Sequence, residues 1–336
     1  MIEFSRGRFV SIEKITRMKH LLFFSLIVFT SCKNSEKTTP IIIERAEKIL
    51  FEAESTADLQ KLITERPYLS QYFGVALQDS TFLGQLFSNI SNPELQKFNT
   101  ELQTQFGDMA DLKIQFEEAF AVIKNNYPDF KSPKIITIVT GFSGNDLYVS
   151  DSVVVIGLDY FGGPKAKYRP QFYEYQLKRC QKEYIVPSVL FFMAEKFNKT
   201  DGKDKTLLAD VVAYGKAFEF VKHIAPTTPD SVVLGYSQQQ LDDVYTSQQD
   251  IWAYFLDRKL LYQSRDIEKQ PFLDERPATV EISQECPGAI GRWVGWRIVS
   301  KYVKQNAGLS LKELMENTNA RQIFEQSNYR GEPDEE

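Results

Sequence analysis

The sequence predicts an α+β fold, a predominantly helical single domain with a small central β-sheet, and three observations predict it. Apolar residues recur at three- and four-residue steps between residues 55 and 126. The period then changes over residues 134–161, where short β-branched runs are broken by turn residues, and helical spacing returns over residues 171–330. No unit of 20–50 residues repeats itself, so a solenoid or propeller is not expected. Composition agrees: 43% hydrophobic and 25% charged residues suit an ordinary globular core.

Taken in order, "STADLQKLITERPYLSQYF" opens on Ser55 or Thr56 as a plausible N-cap, and Asn92 followed by Pro93 marks the next helix start. Within the long stretch that follows, Leu95, Phe98 and Leu102, then Leu112, Phe116, Ala119, Phe120 and Ile123, each form one apolar face. "KIITIVTGF", "DLYVS" and "VVVIGLDYF" read as strands, interrupted at Gly144, Asn145 and Asp151, and strand content ends near Phe161. Later helices are expected to start near Pro187, Thr206, Ser237 and Pro287.

"MKHLLFFSLIVFTSCKN" has a basic start at Lys19, an apolar run of about ten residues and then Ser31 and Cys32, whereas a membrane-crossing helix needs roughly twenty apolar residues. That layout is a lipoprotein signal. Residues 1–31 are therefore expected to be a signal peptide, with Met18 the true start, because Glu3 and Glu13 do not suit a short basic n-region. Cys32 becomes the lipidated first mature residue, residues 32–40 a polar tether, and residues 41–336 the domain.

Net charge of −5 without a basic stripe removes nucleic acid from the expected partners. His20 lies in the signal, so His223 is the one histidine of the mature chain, and no HExxH pair exists to hold zinc. Helical projection of "TLLADVVAYGKAFEFVKH" sets Leu207, Val211, Tyr214, Phe218 and Val221 on the apolar stripe and Lys216, Glu219 and His223 opposite. "GFSGN" and "GYSQQ" lack the spacing of a nucleophile elbow, and no Walker or GxGxxG loop occurs. No cofactor or metal is expected. Cys180 and Cys286 lie far apart without CxxC spacing and can be either a disulfide or two buried thiols. Paired carboxylates stay open, since spacing in sequence does not give separation in space. Asp210 and Tyr214 are the candidates for a cleft, with Asp210 as readily read as the partner of a nearby base.

One late stretch, "CPGAIGRWVGWRIVSKYV", stands out. Pro287 suits a first helical turn, Gly291 and Gly295 lie four apart, and Trp293 and Trp296 lie three apart. Each glycine inside a helix costs about 1 kcal/mol against alanine, so close approach of a second backbone is the expected compensation. The stretch is a candidate packing or binding surface, flanked by Arg292 and Arg297 as solvated charges able to take a partner's carboxylate.

The order of these segments, from the lipoprotein signal through "VVVIGLDYFGG", "EYIVPSVLFFMAEKF", "TLLADVVAYGKAFEFVKHIAPTTPDSVVLGYSQQQL" and "QDIWAYF" to "PGAIGRWVGWRIVSKYV", resembles the gliding motility lipoprotein B (GldB) family of the Bacteroidetes. The resemblance implies an envelope lipoprotein required for surface gliding, in bacteria whose gliding apparatus is linked to a dedicated secretion system. A non-catalytic component that binds another protein of the gliding and secretion machinery is expected, and the faintness of any acidic surface-sorting signal in "KNSEK" favours the periplasmic face. That family is in turn distantly similar to predicted zinc peptidases of zincin-like fold, whose HExxH helix is matched here by "VPSVLFFMAEKF" without a histidine and whose Glu-Gly pair is matched by Tyr214-Gly215. A degenerate peptidase scaffold is implied. An envelope hydrolase using carboxylates or an oxygen-ligated metal is the alternative, and a glycan- or solute-binding lipoprotein the next.

Overall fold

The computed structural model describes residues 40–74 and 79–332, which belong to one compact unit. The signal peptide, Cys32 and most of the tether lie outside the described residues.

The chain enters along β1 (Ile43–Arg45) and turns through α1 (Ala46–Leu50), α2 (Thr56–Glu65), α3 (Pro67–Phe73), α4 (Ser80–Ile90), α5 (Pro93–Phe106) and α6 (Ala110–Asn126). Ser55 caps α2 by accepting the Asp58 amide, and Asn92 caps α5 by accepting the Glu94 amide, with Pro93 in the first turn. The sheet follows as β2 (Lys134–Ile138), β3 (Leu147–Val149) and β4 (Val153–Gly157). Its order is β1-β2-β4-β3, with β1, β2 and β4 parallel and β3 antiparallel on the edge. Strand β1 was not legible as a strand. Three residues carry too little periodicity, and they become a strand only by pairing Ile43 with Ile135.

Because β2 and β4 are covered on both faces, they read as continuous apolar runs. Ile135 and Val154 face the core built with α5, α6 and two later helices, whereas Ile136 and Val155 face the core of α1 to α4. A 3₁₀ turn at Leu158–Phe161 ends the strand region.

The second half adds α7 (Glu174–Leu177), α8 (Ile185–Phe197), α9 (Leu207–Ile224), α10 (Asp230–Leu234), α11 (Gln238–Thr246), α12 (Gln248–Asp257), α13 (Asp266–Leu273), α14 (Ile290–Gln305), α15 (Leu311–Glu316) and α16 (Ala320–Ser327). Thr206 and Ser237 cap α9 and α11 as expected. Two starts shift. Helix α8 begins at Ile185, two residues before Pro187, whose missing N–H costs nothing within the first turn. Helix α14 begins at Ile290, three residues after Pro287, because Ala289 adopts a left-handed conformation (φ 57°) that turns the chain into the helix. Helices α8 and α9 belong to the core beneath the sheet, and α9 is shared with a third core formed by α11, α12, α14 and α16.

No helix among the described residues is long and apolar enough to cross a membrane.

Candidate functional site

A cleft of about 450 Å³ opens between α8, α9 and α10. Helix α8 offers Pro187, Ser188 and Phe191 from one face, and α9 offers Tyr214 and Phe218. The aromatic wall is continuous: Phe191 lies 6.3 Å from Tyr214 and 5.3 Å from Phe218, and Phe218 lies 5.6 Å from Trp296 behind it (ring centroids).

One end is charged. Arg179, just after α7, pairs through Nη1 with Glu275 and donates through Nη2 to the Leu234 carbonyl at 3.3 Å. Gly235 makes room for it, since a Cβ there would stand 2.1 Å from Arg179 Nε. Arg292, in the first turn of α14, lies over the Tyr214 ring with Cζ 4.4 Å from the centroid. Its Nη1 stands 3.6 Å from Glu275, beyond hydrogen-bond range, and its buried Nε has no hydrogen-bond partner among the described residues.

The position of Arg292 follows from two glycines. At Gly295 a Cβ would lie 1.8 Å from the Val211 carbonyl oxygen, and at Gly215 it would lie 2.4 Å from the Gly295 carbonyl oxygen. Helices α9 and α14 therefore touch backbone to backbone, and Arg292, one turn before Gly295, is delivered to Tyr214, one residue before Gly215. Gly291 makes a similar approach to the Phe272 carbonyl of α13, where a Cβ would stand at 2.8 Å.

The other residues of that helix are interior. Trp293 is buried against Tyr245, Trp296 donates from Nε1 to Glu219 at 2.8 Å, and Arg297 is buried with Cζ 5.3 Å from the Tyr245 ring. Burial pushes the Glu219 carboxyl above its ordinary range, while the Trp296 hydrogen bond opposes the shift. The expectation of solvated arginines is corrected. Both are drawn inward because their guanidinium planes lie against aromatic rings supplied by other helices, which helical projection of one segment does not reveal. Lys216 is corrected likewise: it is buried, and its ammonium donates to the Lys199 and Asn317 carbonyls, each at 2.7 Å.

Asp210 and Tyr214 are not brought to one site. Tyr214 lines the cleft; Asp210 pairs with Lys269 of α13 at 2.7 Å. Glu275, Arg179, Ser188 and Phe191 were missed. The Arg179–Glu275 pair joins residues 96 apart, so no local pattern announces it.

His223 is exposed in the last turn of α9. Cys180 and Cys286 are separate buried thiols, pushed by burial up to about 11 and about 12, which keeps both protonated at neutral pH. Among the described residues no three of His, Cys, Asp and Glu converge as metal ligands would.

Fold and cleft together define a single-domain α+β protein with an aromatic groove carrying an arginine at one end. A family model described as gliding motility protein GldB matches residues 31–331, and the chain belongs to that family. Membership places it in gliding motility, and the family's designation as a lipoprotein associates it with the cell envelope. No curated protein and no solved structure matches the chain.

Proposed function

We propose that the chain is a lipid-anchored, non-catalytic part of the gliding machinery that holds another envelope protein in the cleft between α8, α9 and α10. Cys32 carries the anchor and the domain faces the periplasm. The observation that carries this reading is the cleft itself. Its walls are Phe191, Tyr214 and Phe218, and the carboxylate at its charged end, Glu275, is already paired with Arg179 and approached by Arg292. Such a lining favours binding over bond cleavage, because it holds no imidazole, Glu195 is the one carboxylate that α8 brings to it, and Glu275 is already paired with Arg179. The degenerate peptidase ancestry suggested by the sequence fits a scaffold retained for binding.

A photoreactive amino acid at Phe192, which stands 46% exposed at the cleft mouth, tests the reading in gliding cells. The expected result is one discrete covalent adduct whose second component is identified by mass spectrometry as a protein of the gliding or secretion machinery. An adduct at exposed Ile267 on α13 with none at Phe192 would contradict it.

A further inference from the structure

Among the described residues, Arg292 carries a buried donor without a partner and also lines the cleft. Its side chain is 19% exposed, so the guanidinium has lost most of its water, yet its Nε–H finds no partner among the described residues and Glu275, its ion-pair partner at 3.6 Å, sits outside hydrogen-bond range. A guanidinium carries five donors in a fixed fork, and burying them unpaired is costly. Glu275 does not complete the pairing, because the same Oε1 that stands 3.6 Å from Arg292 is held closely by Arg179. Two cations thus share one carboxylate at this end of the cleft.

We infer that the cleft takes a protein segment in which a carboxylate lies next to an aromatic or leucine side chain, the carboxylate docking on Arg292 and the apolar group on Phe191, Tyr214 and Phe218. This inference rests on the proposed partner-binding role and names the chemistry of what is bound. Charge at the Arg179–Glu275–Arg292 end selects a carboxylate, since one negative charge there balances the second arginine, whereas a phosphate dianion would add repulsion from Glu275 and from Glu195, which lines the same cleft. Size selects a protein segment over a small solute. Apolar surface reaches the rim of the cavity and passes beyond it: Phe192, which lines it, is 46% exposed, and outside it Tyr173, 73% exposed, stacks on Tyr175, whose hydroxyl donates to the Glu275 carbonyl at 3.3 Å. A solute filling the cavity would leave those rings in water; a chain passing over them would not.

The test uses the purified full chain on a synthetic array of random octapeptides, printed once with free carboxyl ends and once as amides. Bound peptides are expected to carry Asp, Glu or a free chain end within two residues of Phe, Tyr, Trp or Leu. Arg292→Gln should weaken the best of them about 10- to 100-fold, the loss expected when a charge-assisted hydrogen bond is removed. Arg292→Lys, which keeps the charge and loses the fork, decides in its place if Arg292→Gln does not fold, with about 10-fold weaker binding expected. Absence of binding, selection of peptides without a carboxylate, preference for phosphorylated peptides, or undiminished binding by a folded Arg292 variant would each overturn the inference. If the Phe192 adduct in cells persists in Arg292→Gln, the partner-binding role stands and this chemistry falls; if both adduct and peptide binding are absent from the wild type, the role itself falls.

Discussion

Asp159, in the 3₁₀ turn that follows β4, has its two carboxyl oxygens treated unequally. Oδ2 accepts the Phe142 amide at 2.7 Å and the Thr140 amide at 3.2 Å, so it holds the loop after β2; Oδ1 is buried without a partner among the described residues. Burial pushes the acid above its ordinary range, and the backbone amides oppose that shift only in part. The surrounding rings, Tyr72 and Tyr160, stay neutral, their hydroxyls also raised by burial. The sign follows: a carboxyl whose folded pKa exceeds its unfolded value of about 3.9 binds more protons in the folded state, so its contribution improves as pH falls and is lost as pH rises through the folded pKa. Asp159→Asn keeps an oxygen for the amides and removes the charge. It should melt higher than the wild type at pH 7, with the difference shrinking as pH falls toward the unfolded value. A difference independent of pH would show that Asp159 is not held above its ordinary range. Other raised acids, Asp146 and Glu219, are common to both proteins and cancel in the comparison.

At the scale of elements, the α9–α14 crossing decides where the cleft residues stand. Gly295→Ala would place a methyl 1.8 Å from the Val211 carbonyl oxygen, so the helices must part. The expected cost is about 1 to 3 kcal/mol, seen as a melting temperature lower by roughly 2 to 10 °C in a domain of this size. Gly308→Ala, which meets open space, should be close to neutral. Equal melting of the two variants would refute the tight crossing. This feature was legible from sequence, because two glycines four apart inside an otherwise helical apolar run need a compensating contact. Caps were legible for the same kind of reason: Ser55, Asn92, Thr206 and Ser237 each act on an amide two or three residues ahead. The start of α14 was not, because a left-handed alanine has no sequence signature, and neither were strand β1 and the burial of Lys216, since each of these depends on a distant segment. Lys216 is held inward by carbonyls of Lys199 and Asn317, 17 and 101 residues away.

For the whole molecule, the α+β class was readable because the period of apolar residues changes twice along the chain, and the sheet lies where that change occurs. The cleft was readable only in part. Tyr214 and Arg292 were named from their own helices, but as unrelated features, and their stacking appears once α9 and α14 cross. Arg179 and Glu275, which complete the charged end, come from loops on either side of the six intervening helices α8 to α13. Helices α8 and α9 pack against the sheet in one core, and the cleft opens between these two helices and α10. If the molecule works by holding a partner there, a single change at Arg292 should abolish gliding without unfolding the protein. The most direct measurement is the gliding speed of cells in which Arg292→Gln is the sole copy, with protein level and melting temperature measured alongside. Cells that carry normal amounts of stable protein and yet do not glide are the predicted result; cells that glide at wild-type speed would contradict the account.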